Sequence, residues 1–306
     1  MRVAFLGTSP FAVPALRALA QRHEIVLVVS QPDRPVGRHA VVAPTPVKCA
    51  ATELGAPVFQ PERINREDSV AALRAAQPDV LVVAAYGQLL RSAVFDLAPN
   101  GAINIHASLL PLYRGAAPVN WAIVRGETTT GITTFRIDAG MDTGPIFLLR
   151  PLAVGPDETA GELEQRLAEL GARVILETLD ELAAGTLAPR PQPEGETAAP
   201  RLGRDDGRID WSRPARDVRN LVRGMNPWPG AWTMLHGSRI KIHQAASTEI
   251  GSGSLEPGRV GPRESGRLLV ACGDRLLEIR EIQREGRPTT SGPEFLNSLV
   301  RGDVFE

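Results

Sequence analysis

The sequence predicts an α/β fold, a mostly parallel sheet covered by helices, followed by a small C-terminal β-barrel domain. Three observations carry that expectation. Short, continuously apolar segments alternate with helical ones through the first half of the chain, the pattern of a parallel sheet buried on both faces. A stretch with four prolines, "GTLAPRPQPEGETAAPRLG" (185–203), then breaks the pattern as a linker or an extended crossover. Beyond it, apolar residues recur at every second position in several short runs, as in a sheet with one buried face. At 306 residues the chain can build two cores. The expected boundaries are 1–188 for the first domain, 189–205 for a linker and 206–306 for the β-barrel domain.

Taken in order, "RVAFLG" (2–7) reads as a buried strand and "FAVPALRALA" (11–20) as a helix packed on it. "EIVLVV" (24–29), "PVF" (57–59) and "DVLVVAA" (79–85) are strands, with helices expected at "PVKCAATEL" (46–54) and "EDSVAALRAA" (67–76). "GAINIH" (101–106) continues the sheet, "PVNWAIVRG" (118–126) supplies a helix, and "TGITTFRI" (130–137) and "PIFLLRPLAV" (145–154) are further strands. From 160 to 184, Leu163, Leu167, Leu170, Val174 and Leu182 fall on one helical stripe. The second domain reads as a short helix near 214–223, then strands at 232–236, 239–243, 267–272 and 275–282.

Composition narrows the class. No apolar run approaches a membrane span. Gly7, Pro10 and Arg17 interrupt the N-terminal stretch too early for a secretory segment, so a cytoplasmic protein with no membrane partner is expected. Cys49 and Cys272 are far apart and outside any CxxC pattern, which gives no support to a disulfide framework or a zinc site. Net charge is −1 overall, but residues 201–306 carry +3 and the rest −4. A nucleic-acid partner would therefore be held by local patches. "GTSPFA" after the first strand has one glycine where a dinucleotide fingerprint needs three, and no P-loop is present, which sets NAD and ATP aside.

The chemistry-bearing residues cluster in two places. Asn104 and His106 end a strand, and a separation of two puts both side chains on one face, about 7 Å apart along the chain. The loop "SLLPLYRGAAP" follows at the carboxyl end of the strand, where α/β proteins place their sites. "DAGMDTG" (138–144) then brings two carboxylates into a glycine-rich turn; Asp138 reads as a turn residue and Asp142 as the group aimed at His106. An amide, an imidazole and a carboxylate without a nucleophile elbow suit direct transfer of a group between two bound molecules. The amide and imidazole would stabilise an oxyanion, and the carboxylate would hold or relay a proton.

"NIHASLLPLYRG" (104–115) with "GMDTGPI" (140–146) resembles the folate-dependent formyltransferase superfamily. "SQPDRPVGR" (30–38), "RIDWS" (208–212) and "NPWPGAW" (226–232) are similar to its branch acting on aminoacylated initiator tRNA. The resemblance implies a Rossmann-like catalytic domain and an OB-like C-terminal domain that binds tRNA. It implies 10-formyltetrahydrofolate as formyl donor, methionyl-initiator tRNA as acceptor, no metal, and a monomer. Asn104, His106 and Asp142 match the family's catalytic triad; Ser108, Leu109, Leu110 and Pro111 match its folate-binding loop; and Gln88, Leu89 and Leu90 fall where relatives line the pterin pocket.

For RNA, the resemblance points to the loop at 31–46, where Arg38 is retained but "HAVVA" (39–43) stands in place of two lysines found in some relatives. In the second domain Arg239, Lys241 and His243 alternate with Ile240 and Ile242, which places the basic groups on one outer face. Trp228 and Trp232 read as core residues of a small domain. Two other readings use the same residues: formyl transfer to an amino-sugar nucleotide or hydrolysis of 10-formyltetrahydrofolate, and a folate- or RNA-binding module without catalysis.

Overall fold

The computed structural model describes residues 1–36, 41–300 and 302–306. Packing divides the chain into two units. The first comprises Met1–Gly115, Thr129–Ala153 and Glu164–Ala199; the second comprises Ala116–Thr128, Val154–Leu163 and Pro200–Glu306.

Along the chain the elements are β1 (Arg2–Gly7), α1 (Val13–Arg22), β2 (Glu24–Val29), β3 (Arg34–Val36), β4 (Val41–Ala43), α2 (Pro46–Glu53), β5 (Val58–Phe59), α3 (Glu67–Ala75), β6 (Val80–Ala84), α4 (Ser92–Phe95), β7 (Ala102–His106) and β8 (Arg114–Gly115). They continue with α5 (Pro118–Val124), β9 (Thr129–Arg136), β10 (Ile146–Ala153), α6 (Ala160–Ala183), β11 (Ala198–Ala199), α7 (Ala215–Gly224), β12 (Ala231–Leu235), β13 (Ser238–Gly251), β14 (Leu268–Ala271), β15 (Arg275–Arg284), β16 (Thr289–Ser291) and α8 (Gly292–Leu296).

The first unit is built on a seven-stranded sheet in the order β10-β9-β7-β6-β1-β2-β5. Its central strands are those with unbroken apolar sequence: Val3 to Leu6 in β1 and Val80 to Val82 in β6 are fully buried. Such strands need cover on both faces, and a parallel arrangement with crossover helices supplies it. The five strands from β7 to β5 are parallel, while at one edge β9 runs antiparallel to β7 and β10 antiparallel to β9. Strand order reverses between β1 and β6, the switch point at which sheets of this kind open a crevice. There Thr8 Oγ1 donates to the Tyr86 carbonyl at 2.8 Å.

Helix α6 packs closely on β7. A Cβ at Gly171 would lie 2.9 Å from Ile105 Cγ2, so glycine sets that approach. Leu163, Leu167 and Val174 are buried as the stripe predicts. Leu182 is only half-buried, and Ile175 and Leu179 take the inner face instead.

The second unit holds a five-stranded antiparallel sheet, β12-β13-β15-β14, with β16 added on β15. Ile240, Ile242, Leu268, Val270, Leu277, Ile279 and Ile282 form its core with Val218 and Val222 of α7. β13 is far longer than its expected five residues. Register shifts after Ile242, Gln244 and Ser247 bend it, and bulges of this kind let one strand wrap a small core.

The observed division departs from the contiguous boundaries expected at 188 and 206. Segments 116–128 and 154–163 pack with the C-terminal residues. Residues 189–199 are no free linker. Arg190 and Ile146 exchange backbone hydrogen bonds at 2.7 and 2.8 Å, and β11 pairs in parallel with β8. Proline-rich sequence resists helix, but extended backbone can still take up the unsatisfied edge of another segment.

Candidate active site

β7 lies between β6 and β9, with Asn104 opposite Val83 on one side and Phe135 on the other. Strand alternation sends Ile103 and Ile105 into the core, 0% and 3% exposed, and leaves Asn104 and His106 together on the other face. Asn104 is half-buried, and no group among the described residues hydrogen-bonds its amide.

His106 is held on several sides. Its Nε2 lies 2.9 Å from the Tyr113 carbonyl oxygen. A carbonyl can only accept, so Nε2 carries the hydrogen. The Phe135 ring meets the imidazole edge-to-face, with centroids 6.3 Å apart. Nδ1 faces Asp142 Oδ2 at 3.7 Å, beyond a direct hydrogen bond. Nδ1 is therefore the ring nitrogen without a direct hydrogen bond among the described residues.

The loop after β7 is folded by its own polar groups. Ser108 Oγ donates to the Leu112 carbonyl at 2.6 Å. The Thr133 hydroxyl of β9 donates to the Ser108 carbonyl at 2.6 Å and accepts the Leu110 N–H at 3.0 Å. A Cβ at Gly131 would sit 2.5 Å from Leu109 Cδ2, so glycine in β9 leaves room for the loop.

Asp142 arrives by an unexpected route. Because β9 is antiparallel to β7, its end at Arg136 pairs with Ile103, near the start of β7. The 138–144 turn must come back toward His106. It does so with Asp142 at φ +54°, in the left-handed region, and with the Asp142 Oδ2 accepting the Gly115 N–H at 2.8 Å. Asp138 is the local turn residue the sequence suggests: its Oδ1 accepts from Gly140 N at 3.0 Å and Thr143 Oγ1 at 2.7 Å.

Sequence reasoning missed the segment that ties these parts together. Gln192 Nε2 donates to the carbonyls of Asp142 and Gly144 at 2.7 and 2.8 Å, and its Oε1 accepts from Arg114 Nε and Nη2 at 3.1 and 2.7 Å. Thr197 Oγ1 accepts the Tyr113 N–H at 2.8 Å. The only sequence signal was one glutamine and one threonine among prolines.

The residues matched to the pterin pocket differ in what they present. Gln88 is half-buried and clasps a neighbouring loop, its Oε1 accepting Ile64 N at 3.0 Å and its Nε2 donating to the Glu62 carbonyl at 3.2 Å. Leu89 is 68% exposed, whereas Leu90 packs in the core of the sheet. Ser108, Leu110 and Pro111 are buried and Leu109 half-buried. Nearby Tyr86 buries its hydroxyl without a partner, and burial pushes its pKa up to about 12, so it stays a neutral phenol.

Among the residues matched to RNA binding, Arg38 lies outside the described residues. The flanks of its loop form a short hairpin, β3 paired with β4. At its base Lys48 Nζ meets Asp33 Oδ2 at 2.5 Å and Gln60 Nε2 donates to Asp33 Oδ1 at 2.7 Å; these hydrogen bonds hold the Asp33 carboxyl below its usual range. On β13 the alternation holds, with Ile240 and Ile242 buried. Lys241 is exposed, and Arg239 lies over the Trp232 ring, 3.9 Å from its centroid. His243 Nε2 lies 3.0 Å from Gln283 Oε1. Trp232 is buried as expected, but Trp228, in the turn between α7 and β12, is 57% exposed.

Residues 1–179 match the family model described as formyl transferase, and residues 201–300 match formyl transferase, C-terminal domain. The methionyl-tRNA formyltransferase of Geobacter metallireducens is 46% identical, covering 97% of this chain and 95% of its own length. That of Solibacter usitatus is 48% identical with the same coverage. Among solved structures, a sugar 3N-formyl transferase with dTDP and 5-N-formyl-THF superposes with a TM-score of 0.68 at 15% identity, over 94% of this chain and 99% of that one.

Proposed function

The chain belongs to the formyl transferase family, and from that premise we propose that it moves the formyl group of 10-formyltetrahydrofolate to the α-amine of methionyl-initiator tRNA, with Asn104, His106 and Asp142 at the reacting atoms. The observation that carries the reading is an amide and an imidazole on one face at the end of β7, with the Asp142 carboxylate 3.7 Å from the imidazole Nδ1. Identity near one half, across nearly the whole length, to proteins named methionyl-tRNA formyltransferase supports this acceptor over a sugar.

The folate donor supplies an N-linked formyl carbon open to attack by an amine. Free α-amines titrate near about 7.7–8.0, and the adjacent ester of an aminoacyl-tRNA lowers that, so much of the nucleophile is already neutral at cellular pH. The site's task is then to stabilise charge building on the formyl oxygen. The Asn104 amide offers its N–H donors there. His106, with Nε2–H fixed on the Tyr113 carbonyl, presents Nδ1 as the nitrogen that holds or moves a proton. Asp142, with Oδ2 3.7 Å from Nδ1, orients the ring for passing the proton lost by the attacking amine to the folate nitrogen as its bond to the formyl carbon breaks. Ser108, Leu109, Leu110, Pro111 and the 88–90 segment would hold the folate; Arg38, Arg239 and Lys241 would meet tRNA phosphates. The same reading gives a monomer working in the cytoplasm.

The test is formylation of methionyl-tRNA by the purified chain, with uncharged tRNA and an amino-sugar nucleotide as controls. Formyl-methionyl-tRNA should form only with the charged tRNA. Transfer to the sugar alone, or donor hydrolysis without transfer, would replace the reading.

A further inference from the structure

The geometry points to Gln192 as a positioning residue for formyl transfer, one that holds the Asp142 turn and the Tyr113–Gly115 strand in the single arrangement in which Asp142 faces His106. The inference rests on the functional reading above.

Gln192 is saturated on both ends of its amide. The Nε2 group reaches two carbonyls of one turn, Asp142 and Gly144, and Oε1 takes the Arg114 guanidinium. These contacts bracket the site. Arg114 sits between Tyr113, whose carbonyl holds His106 Nε2, and Gly115, whose N–H holds the Asp142 carboxylate. One side chain thus links the two segments that grip the imidazole and the acid.

The link has work to do. Asp142 sits in the left-handed region at φ +54°, a conformation that costs free energy at any residue with a Cβ and persists only when its surroundings fix it. Asp142 and Gly144 flank the turn residue Thr143, so two hydrogen bonds from one amide define the direction in which the carboxylate leaves the turn. A shift of about 1 Å in a positioned group can cost about 100-fold in rate.

Gln192→Glu keeps the volume and the Arg114 partner but turns oxygens toward two carbonyls. Gln192→Leu removes both interactions.

The experiment measures kcat and KM for methionyl-tRNA formylation by wild type, Gln192→Glu, Gln192→Leu, Asp142→Asn and the Gln192→Leu/Asp142→Asn double variant, with thermal melting of each. The expected result is a fall in kcat of about 10- to 100-fold for both Gln192 variants, with KM for either substrate within about threefold and folding retained in at least Gln192→Glu. Because Gln192 acts through Asp142, the double variant should be within about threefold of Asp142→Asn alone. Losses that multiply, a loss carried by KM, or kcat within twofold of wild type would each overturn the assignment. A wild type that formylates no methionyl-tRNA would instead overturn the functional reading, and the inference with it.

Discussion

His106 ends the strand β7 and Lys241 lies within β13, and the two receive opposite treatment. Each has buried apolar neighbours in the chain: Ile105 and Ala107 beside the histidine, Ile240 and Ile242 beside the lysine. Yet His106 is 6% exposed, with both ring nitrogens turned toward groups from other segments, while Lys241 stands in solvent with no ion pair among the described residues. The difference fits the roles proposed for each. A group that stabilises charge on one atom gains by being fixed beforehand. A group that neutralises phosphates gains by displacing counterions, which needs proximity rather than a fixed angle.

The contrast can be broken in four ways, in descending order of effect. Asn104→Ala and His106→Ala should each lower kcat by about 10²–10³ with little change in melting temperature; a loss under tenfold in steady-state assays would remove the fixed site from the comparison. On β13, Ile240→Ala should cost about 2–5 kcal/mol in urea unfolding, whereas Lys241→Ala next to it should stay within about 0.5 kcal/mol. If the two cost the same, the alternating face has no energetic meaning. Arg239→Ala with Lys241→Ala should weaken tRNA binding and flatten the log–log salt dependence by about one unit per lost contact, with kcat at saturating tRNA unchanged. A thiol assay gives the smallest signal. Cys272 is buried with its pKa pushed up to about 12 by burial, then by the charge of Asp274, so it has almost no thiolate at pH 8; Cys49 is exposed. One thiol should react in the native protein and both after unfolding.

The same contrast explains what could be read from the chain beforehand. Strand β13 announced its basic face because a period of two is a local property, visible in five consecutive residues. β1, β2 and β6 were equally legible, being unbroken apolar runs. The site was half legible. Asn104 and His106 share a strand, so their common face follows from spacing alone, but the route of Asp142 depends on β9 running antiparallel, which no residue in "DAGMDTG" reveals. The α6 stripe was legible in part: Leu163, Leu167 and Val174 are buried, while Leu170 and Leu182 are half-buried. Thr178 is fully buried there because its hydroxyl pairs with Thr134 at 2.8 Å, and a partner 44 residues away leaves no trace in a hydrophobic stripe. The 189–199 segment is the extreme case: its composition suggested a tether, and its role lies wholly in what it touches.

Asp142 turns a carboxylate toward His106 and is the pivot of its turn at once, and the two features narrow what can stand there. A left-handed backbone is tolerated best by glycine, asparagine and aspartate, and of these only aspartate brings a negative charge. Replacement by alanine would therefore mix lost charge with a bent turn, while asparagine removes the charge and leaves the hinge angle in place. Any mutational survey of this position reports chemistry cleanly at one substitution and architecture at nearly all the others.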